Sequence, residues 1–355
     1  MRAWTVTALS QPMVEQQRVE VPGRGEVIVQ VAGCGICHTD LGFYAEGVPT
    51  RKPLPLTLGH EISGIVVEVG PGAEHWLGQA VVVPAVIPCG ECAACAAGRG
   101  SVCGRQIFPG NDVHGGFASH VRVPARGLCP VPDLADARRN PARVDLPSLA
   151  VLADAVTTPF QAISRSRLGI GDLAVVVGAG GVGGFAVQIA AALGAHVVAI
   201  DVDPGRLDLV QGHGAGLALR AGELDFKALR KSVRAFAADH EVDGFRWRIF
   251  ECSGTTAGQS TAFGLLEPGS YLSVVGFTTQ KLELRLSNVM AFDATVQGNW
   301  GCLPELYPAA LELVLQGKVS LGPFTEQRPL ASINRSFADV HEKRAGRRIV
   351  LCPES

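Results

Sequence analysis

The sequence predicts an α/β chain of two domains: a loop-rich antiparallel β domain, then a doubly wound parallel sheet. Three observations predict it. A length of 355 residues exceeds one ordinary compact core and suits two. Residues 19–131 carry short β-type runs broken by Gly and Pro, at 27–31, 65–69, 80–83 and 119–123. After Pro147 the period changes to a helical stretch over 149–166, and strands then alternate with helices as far as about residue 315, the mark of a parallel sheet with covering helices.

The boundaries that follow are 1–154 for the first domain, 155–300 for the second, and 301–355 for a return to the first. The tail over 323–355 ends in the strand-like Arg348-Ile349-Val350-Leu351 and should pack back on the first domain. The apolar segment 173–200 is long enough to suggest a membrane span. Glycines at 178, 180, 181, 183 and 184 divide it into strand, turn and helix instead.

Composition removes several function classes. An apolar share of 47%, 43 glycines and 18% charged residues describe a well-buried chain with many tight turns rather than a disordered or coiled-coil one. The formal charge of −2, with Lys and Arg scattered, provides no footprint for nucleic acid or an acidic membrane surface, so neither partner is expected. The N-terminus lacks the charged-then-apolar layout of a secretory signal, which places the expected site of action in the cytoplasm.

Residues 174–177 read as a buried strand, Gly178-Ala179-Gly180-Gly181-Val182-Gly183 as a glycine turn, and 185–193 as a helix capped by Gly194. Gly178 permits the tight turn, Gly180 lets the backbone approach a pyrophosphate, and Gly183 allows close helix–strand packing. The helix N-terminus offers free N–H groups. A second strand over 196–200 delivers Asp201, whose carboxylate can accept from both ribose hydroxyls and would repel a 2′-phosphate, so NAD is expected over NADP. Arg206 is either an adenosine contact or a solvated helix start.

Cys89, Cys92, Cys95 and Cys103 place four thiols in fifteen residues, a spacing that closes a tetrahedron around a structural zinc. Two disulfides would need an oxidising compartment, and an iron–sulfur cluster is the remaining alternative. A second set is dispersed: Cys37 within Gly35-Ile36-Cys37-His38-Thr39-Asp40, and His60-Glu61 after Gly59. Thiolate, imidazole and carboxylate are the mixed ligands of a catalytic zinc with one open position. Taken singly, Cys37 reads as packing or as half of a Cys34–Cys37 redox pair, and His60 as a core histidine.

Together these motifs resemble, over essentially the whole chain and in order and spacing, the zinc-containing medium-chain alcohol dehydrogenases. The resemblance implies a GroES-like catalytic domain joined to a Rossmann domain, two zinc ions per chain, and NAD. It also implies a catalytic zinc held by Cys37, His60 and Asp154, with Glu61 able to enter and leave the coordination shell. Thr39 matches the hydroxyl that bonds the reacting oxygen and starts a proton relay, and His38 matches a contact to the cofactor pyrophosphate. Gly42 departs from the pattern, standing where many members place the histidine that ends the relay; the proton would then leave through the cofactor ribose and water.

Zinc as a Lewis acid would lower the pKa of the alcohol, Thr39 would take the proton, and hydride would pass to the nicotinamide. Within the family, 31–35, 38–42 with 47–50, and 108–112 through 114–117 are similar to a subgroup of anaerobic aromatic degradation. That similarity implies a cyclic allylic secondary alcohol carried as a CoA thioester, with Arg51, Lys52 and Arg105 near CoA phosphates. Conjugate reduction of an enone is a second enzymatic reading, and a non-catalytic nucleotide-binding protein a third. A homodimer or homotetramer is expected, with the apolar run 273–277 as a strand able to pair across a dimer.

Overall fold

The computed structural model describes residues 1–354, which form two compact units. One contains residues 1–157, 301–317 and 321–354; the other contains 158–300 with 318–320.

In the first unit a seven-stranded sheet has the order Thr325–Pro329, Arg348–Cys352, Glu26–Gly35, Glu61–Val69, Ala80–Val83, Cys129–Pro130, with His120–Pro124 also paired to Glu26–Gly35. All neighbours are antiparallel except Thr325–Pro329 with Arg348–Cys352. Alternate β-branched and Leu side chains of these strands, among them Val27, Val29, Ile62, Val66, Val81, Val83, Val121, Ile349 and Leu351, fill one buried cluster. Register places the chemistry. Gly35 pairs with Glu61, so the residues just beyond that pair, Cys37 and His60, emerge at the same end of the sheet. The C-terminal strand pairs Val350 with Gly35 and brings Arg348 to the same corner.

The helical stretch expected over 149–166 is two pieces, a 3-10 run Pro147–Ala153 and a helix Thr157–Ser166. Pro159 is tolerated only in the first turn of a helix, which sets the second start near Thr157. Ala155 N–H donates to Glu61 rather than into a continuous helix. The helix Tyr307–Leu315 belongs to the first unit, where the Tyr307 hydroxyl donates to Ala153 O and accepts from Ala85 N.

The loop after Ile107 runs beside residues 57–59, with Gly115 N donating to Thr57 O and Phe117 N to Leu58 O. His114 Nδ1 accepts from Thr57 N at 3.2 Å, which leaves its proton on Nε2. Burial, reinforced by Arg18, Lys52 and Arg122, pulls the His114 pKa down to about 4. The unfolded chain binds this proton near 6.5, so the contribution is intact above that pH and is lost as pH falls toward 4. Melting temperature should therefore decline across this window, and His114→Gln should flatten the decline; an unchanged slope would assign the acid sensitivity elsewhere.

In the second unit a six-stranded parallel sheet has the order Leu217–Arg220, His196–Asp201, Leu173–Val177, Trp247–Glu251, Tyr271–Val274, Thr295–Gly298. Every residue of Leu173–Val177 is buried, as expected for a strand covered on both faces. Chain order reverses between Leu173–Val177 and Trp247–Glu251, and the glycine turn leaves the sheet there, at the kind of switch point where α/β sheets bind ligands. The strand proposed from sequence over 273–277 is not an edge: Tyr271–Val274 is paired on both sides, and Thr295–Gly298 ends the sheet. Among the described residues no helix is long and apolar enough to cross a membrane.

Candidate metal centre and dinucleotide turn

Cys37 is the N-cap of the short helix His38–Tyr44. The third helical residue, Asp40, reaches back to accept the Cys37 backbone N–H at 3.0 Å, the reciprocal half of a capping box. Its other oxygen accepts from Gly59 N at 3.0 Å and lies 3.4 Å from His60 Nδ1. One fully buried carboxylate thus fixes the segments bearing Cys37 and His60.

Cys37, His60, Glu61 and Asp154 each direct one ligand atom into a space where all lie within 4.8 Å of one another. Asp154 Oδ2 is 3.7 Å from Cys37 Sγ and 3.6 Å from His60 Nε2. Donors on a tetrahedral zinc would sit roughly 3.6 Å apart for sulfur and oxygen and roughly 3.3 Å for nitrogen and oxygen. The spacing therefore fits a shared ion. Neither ring nitrogen of His60 has a hydrogen-bond partner although the residue is 1% exposed, a cost that a ligand on Nε2 and the Asp40 carboxylate facing Nδ1 would offset.

Glu61 is also bound elsewhere. Arg348 Nε donates to Oε2 at 2.7 Å and Nη2 to Oε1 at 2.5 Å, while Ala155 N donates to Oε1 at 3.1 Å. A fork of this kind, fully buried, holds the carboxylate beside the three other donors by strong charge-assisted bonds. Gly35 is required for this arrangement, because a Cβ there would stand 2.0 Å from Glu61 Oε2. The Thr39 hydroxyl lies 3.6 Å from Cys37 Sγ, and His38 is the exposed first residue of the helix. Gly42 is buried, and a Cβ there would only touch Val48 at 3.4 Å.

The second cluster is local. Sulfur separations are 3.5 Å for Cys92–Cys95, 3.6 Å for Cys92–Cys103 and 3.9 Å for Cys89–Cys95. Four thiolates around zinc stand about 3.8 Å apart, whereas a disulfide requires about 2.05 Å. The geometry is that of a metal tetrahedron, and all ten cysteines are free. The Glu91 backbone N–H is the main cause that lowers the Cys89 thiol to about 6, and burial raises Cys95 to about 11.

In the second unit Gly178 adopts φ +91°, open to glycine alone without strain. A Cβ on Gly183 would lie 1.7 Å from Gly178 O, so the helix Gly183–Ala192 starts hard against the end of the strand. Gly181 is exposed, and Val182 is the helix N-cap. Gly180 faces the Arg206 guanidinium. Asp201 accepts from Ala179 N at 2.6 Å and from Asp203 N at 2.9 Å, and Arg206 Nη1 stands 3.9 Å from it. The cradle has the backbone exposure and free helix end that a dinucleotide phosphate requires.

Arg51 pairs with Asp112 at 3.1 Å and Arg105 with Glu91 at 2.9 Å. Of the three basic residues expected near a CoA phosphate, only Lys52 makes no ion pair among the described residues. Two site residues had no place in the sequence reading. Asp40 stood within the quoted motif, where its capping position was the available signal. Arg348 carries no local signal, being 287 residues from Glu61.

Residues 23–133 match the alcohol dehydrogenase GroES-like domain and residues 181–316 the zinc-binding dehydrogenase domain. The chain is 31% identical over 347 residues to an alcohol dehydrogenase of Geobacillus stearothermophilus, covering 97% of this chain and 95% of that one. It is 30% identical over 343 residues to a 2-dehydro-3-deoxy-L-galactonate 5-dehydrogenase of Pseudoalteromonas atlantica, covering 90% and 89%. The crystal structure of the alcohol dehydrogenase of Aeropyrum pernix superposes with a TM-score of 0.86 at 28% identity, covering 99% of this chain and all of that one. The chain belongs to the zinc-containing medium-chain alcohol dehydrogenase family, and it is an NAD(P)-dependent zinc alcohol dehydrogenase.

Proposed function

We propose that this enzyme oxidises a cyclic, allylic secondary alcohol presented as a CoA thioester, 6-hydroxycyclohex-1-ene-1-carbonyl-CoA or a close relative, with NAD as hydride acceptor. The single observation that carries the chemistry is the convergence of Cys37, His60, Glu61 and Asp154 on one space. Zinc in that space supplies Lewis acidity that brings an alcohol's pKa toward neutrality. Cys37, His60 and Asp154 hold the ion. Glu61, tethered by Arg348, is the alternate donor. Thr39 would accept the hydroxyl proton, and Gly42 puts no proton-carrying side chain where many family members place the relay histidine. A second zinc on Cys89, Cys92, Cys95 and Cys103 is structural.

Gly178, Gly180, Gly181, Val182 and Gly183 would cradle the pyrophosphate, and the family resemblance assigns His38 a pyrophosphate contact of its own. Asp201 would receive the ribose hydroxyls and disfavour a 2′-phosphate, while Arg206, leaning toward Asp201, would border the adenosine. The thioester is supported by the similarity of residues 108–117 to the subgroup described above and by the uncommitted charge of Lys52. A homodimer or homotetramer is part of the same reading, with the exposed edge strand Thr295–Gly298 as the pairing element. Ten cysteines with no disulfide among them suit the cytoplasm.

The test is substrate competition with product analysis. The thioester alcohol should be oxidised with kcat/KM about tenfold or more above cyclohexanol, and NAD should be preferred to NADP by about the same factor. Better turnover of free alcohols would make this a general secondary-alcohol dehydrogenase. A saturated ketone from a cyclohexenone substrate would make it a conjugate reductase.

A further inference from the structure

Glu251 ends the strand Trp247–Glu251 at the point where strand order reverses, paired in register with Val177 on one side and Val274 on the other. The residue is 1% exposed. Its carboxylate is used one-sidedly: Oε1 accepts from Ser253 N at 2.8 Å, Ser253 Oγ at 2.5 Å and Gly254 N at 3.2 Å, whereas Oε2 has no hydrogen-bond partner. A buried carboxylate with one bare oxygen is costly, and an apolar residue would serve stability alone better.

The loop it holds lies against both ends of the glycine turn. A Cβ on Gly178 would come within 2.6 Å of Ser253 N and Cα, and one on Gly183 within 3.3 Å of Cys252 Cβ. Cys252 N also donates to Val177 O at 2.8 Å, the last residue before the turn. Space for the loop is cleared on its far side, since a Cβ on Gly258 would strike Ser253 Oγ at 1.9 Å and one on Gly276 would strike Gly254 N at 2.2 Å.

We propose that Glu251 is a positioning residue for the dinucleotide: through Oε1 it clamps residues 252–254, and this loop holds Gly178 and Gly183 in the conformation that presents the turn's N–H groups to a pyrophosphate. The proposal rests on reading this turn as the dinucleotide site, and NADH titration of the unchanged protein tests that reading separately. The clamp itself is read without cofactor, as hydrogen exchange of amides 179–184.

Glu251→Ala is expected to weaken NADH binding about tenfold or more, and to accelerate exchange at 179–184 by a similar factor, with zinc content unchanged. Glu251→Gln keeps an acceptor oxygen for the three donors and should stay within about threefold of the original protein in both readouts. Ser253→Ala deletes one donor and leaves the main-chain contact to Gly178, so an intermediate loss is expected; it carries the test should Glu251→Ala not fold. A folded Glu251→Ala with unaltered exchange and affinity overturns the proposal. So does a Gln variant as damaged as the Ala variant, or an unaffected Ser253→Ala where the Ala variant at 251 cannot be obtained.

Discussion

Cys37→Ala should abolish turnover while leaving a folded protein that has lost one zinc and binds NADH as before. The thiolate is one of three donors whose spacing matches a single tetrahedral ion. Its loss should weaken the metal by more than the roughly 10–100-fold that changes outside the ligand set produce. Folding should survive, because Cys37→Ala removes only the thiol half of the capping box of the helix His38–Tyr44 and keeps the Asp40 carboxylate on the residue-37 backbone N–H. Metal analysis, NADH titration and turnover measured on one preparation check this. Retained activity would exclude Cys37 as a ligand, and an unfolded product would make it a packing residue.

Cys103→Ala should release the other zinc and lower the melting temperature while the Cys37 centre stays loaded. Cys103 is 1% exposed, its Sγ accepts the Cys89 backbone N–H, and it stands 3.6 Å from Cys92. Around it, residues 91–99 are exposed or half-buried and supply little apolar core, so an ion on the four thiols would be the main constraint on the loop. For a protein of this size each kcal/mol lost shifts the melting temperature by roughly 2–4 °C. Zinc content equal to that of the unchanged protein would contradict a closed four-thiolate site.

The two clusters differ in how they could be read. The four-cysteine loop is local: its ligands fall within fifteen residues, so spacing alone specifies the tetrahedron that the sulfur distances show. The glycine turn is equally local, a strand, three necessary glycines and a helix in sequence order. The catalytic set spans 117 residues from Cys37 to Asp154, and no periodicity joins its members. Only the family resemblance selected Asp154, which lay inside what reads as an uninterrupted helical stretch over 149–166. Pro159 sets the restart near Thr157, and in the gap Ala155 N–H donates to Glu61, a long-range contact that no local propensity encodes.

Strand identity followed from β-branched runs, but strand order did not, and the choice of edge strand was misread for that reason. Only Ser273 and Val274 of the 273–277 run belong to the strand, Tyr271–Val274, which is paired on both sides; residues 275–277 follow it, and Phe277 is exposed. The edge is the polar, exposed Thr295–Gly298, whose sequence Thr-Val-Gln-Gly offers little strand signal.

From sequence alone came the two-part α/β class, the four-thiol loop, the glycine turn between strand and helix and the donor types of the second cluster, all carried by residue identity and short spacing. Tertiary structure alone decided which carboxylates stand beside His60, that Arg348 from the final strand grips Glu61, and that the loop Glu251 holds packs against Gly178. The physical reason is range. Chemistry within one turn or loop is dictated by neighbours along the chain, whereas a buried charge acquires its partner only when sheet register brings distant strands to one corner.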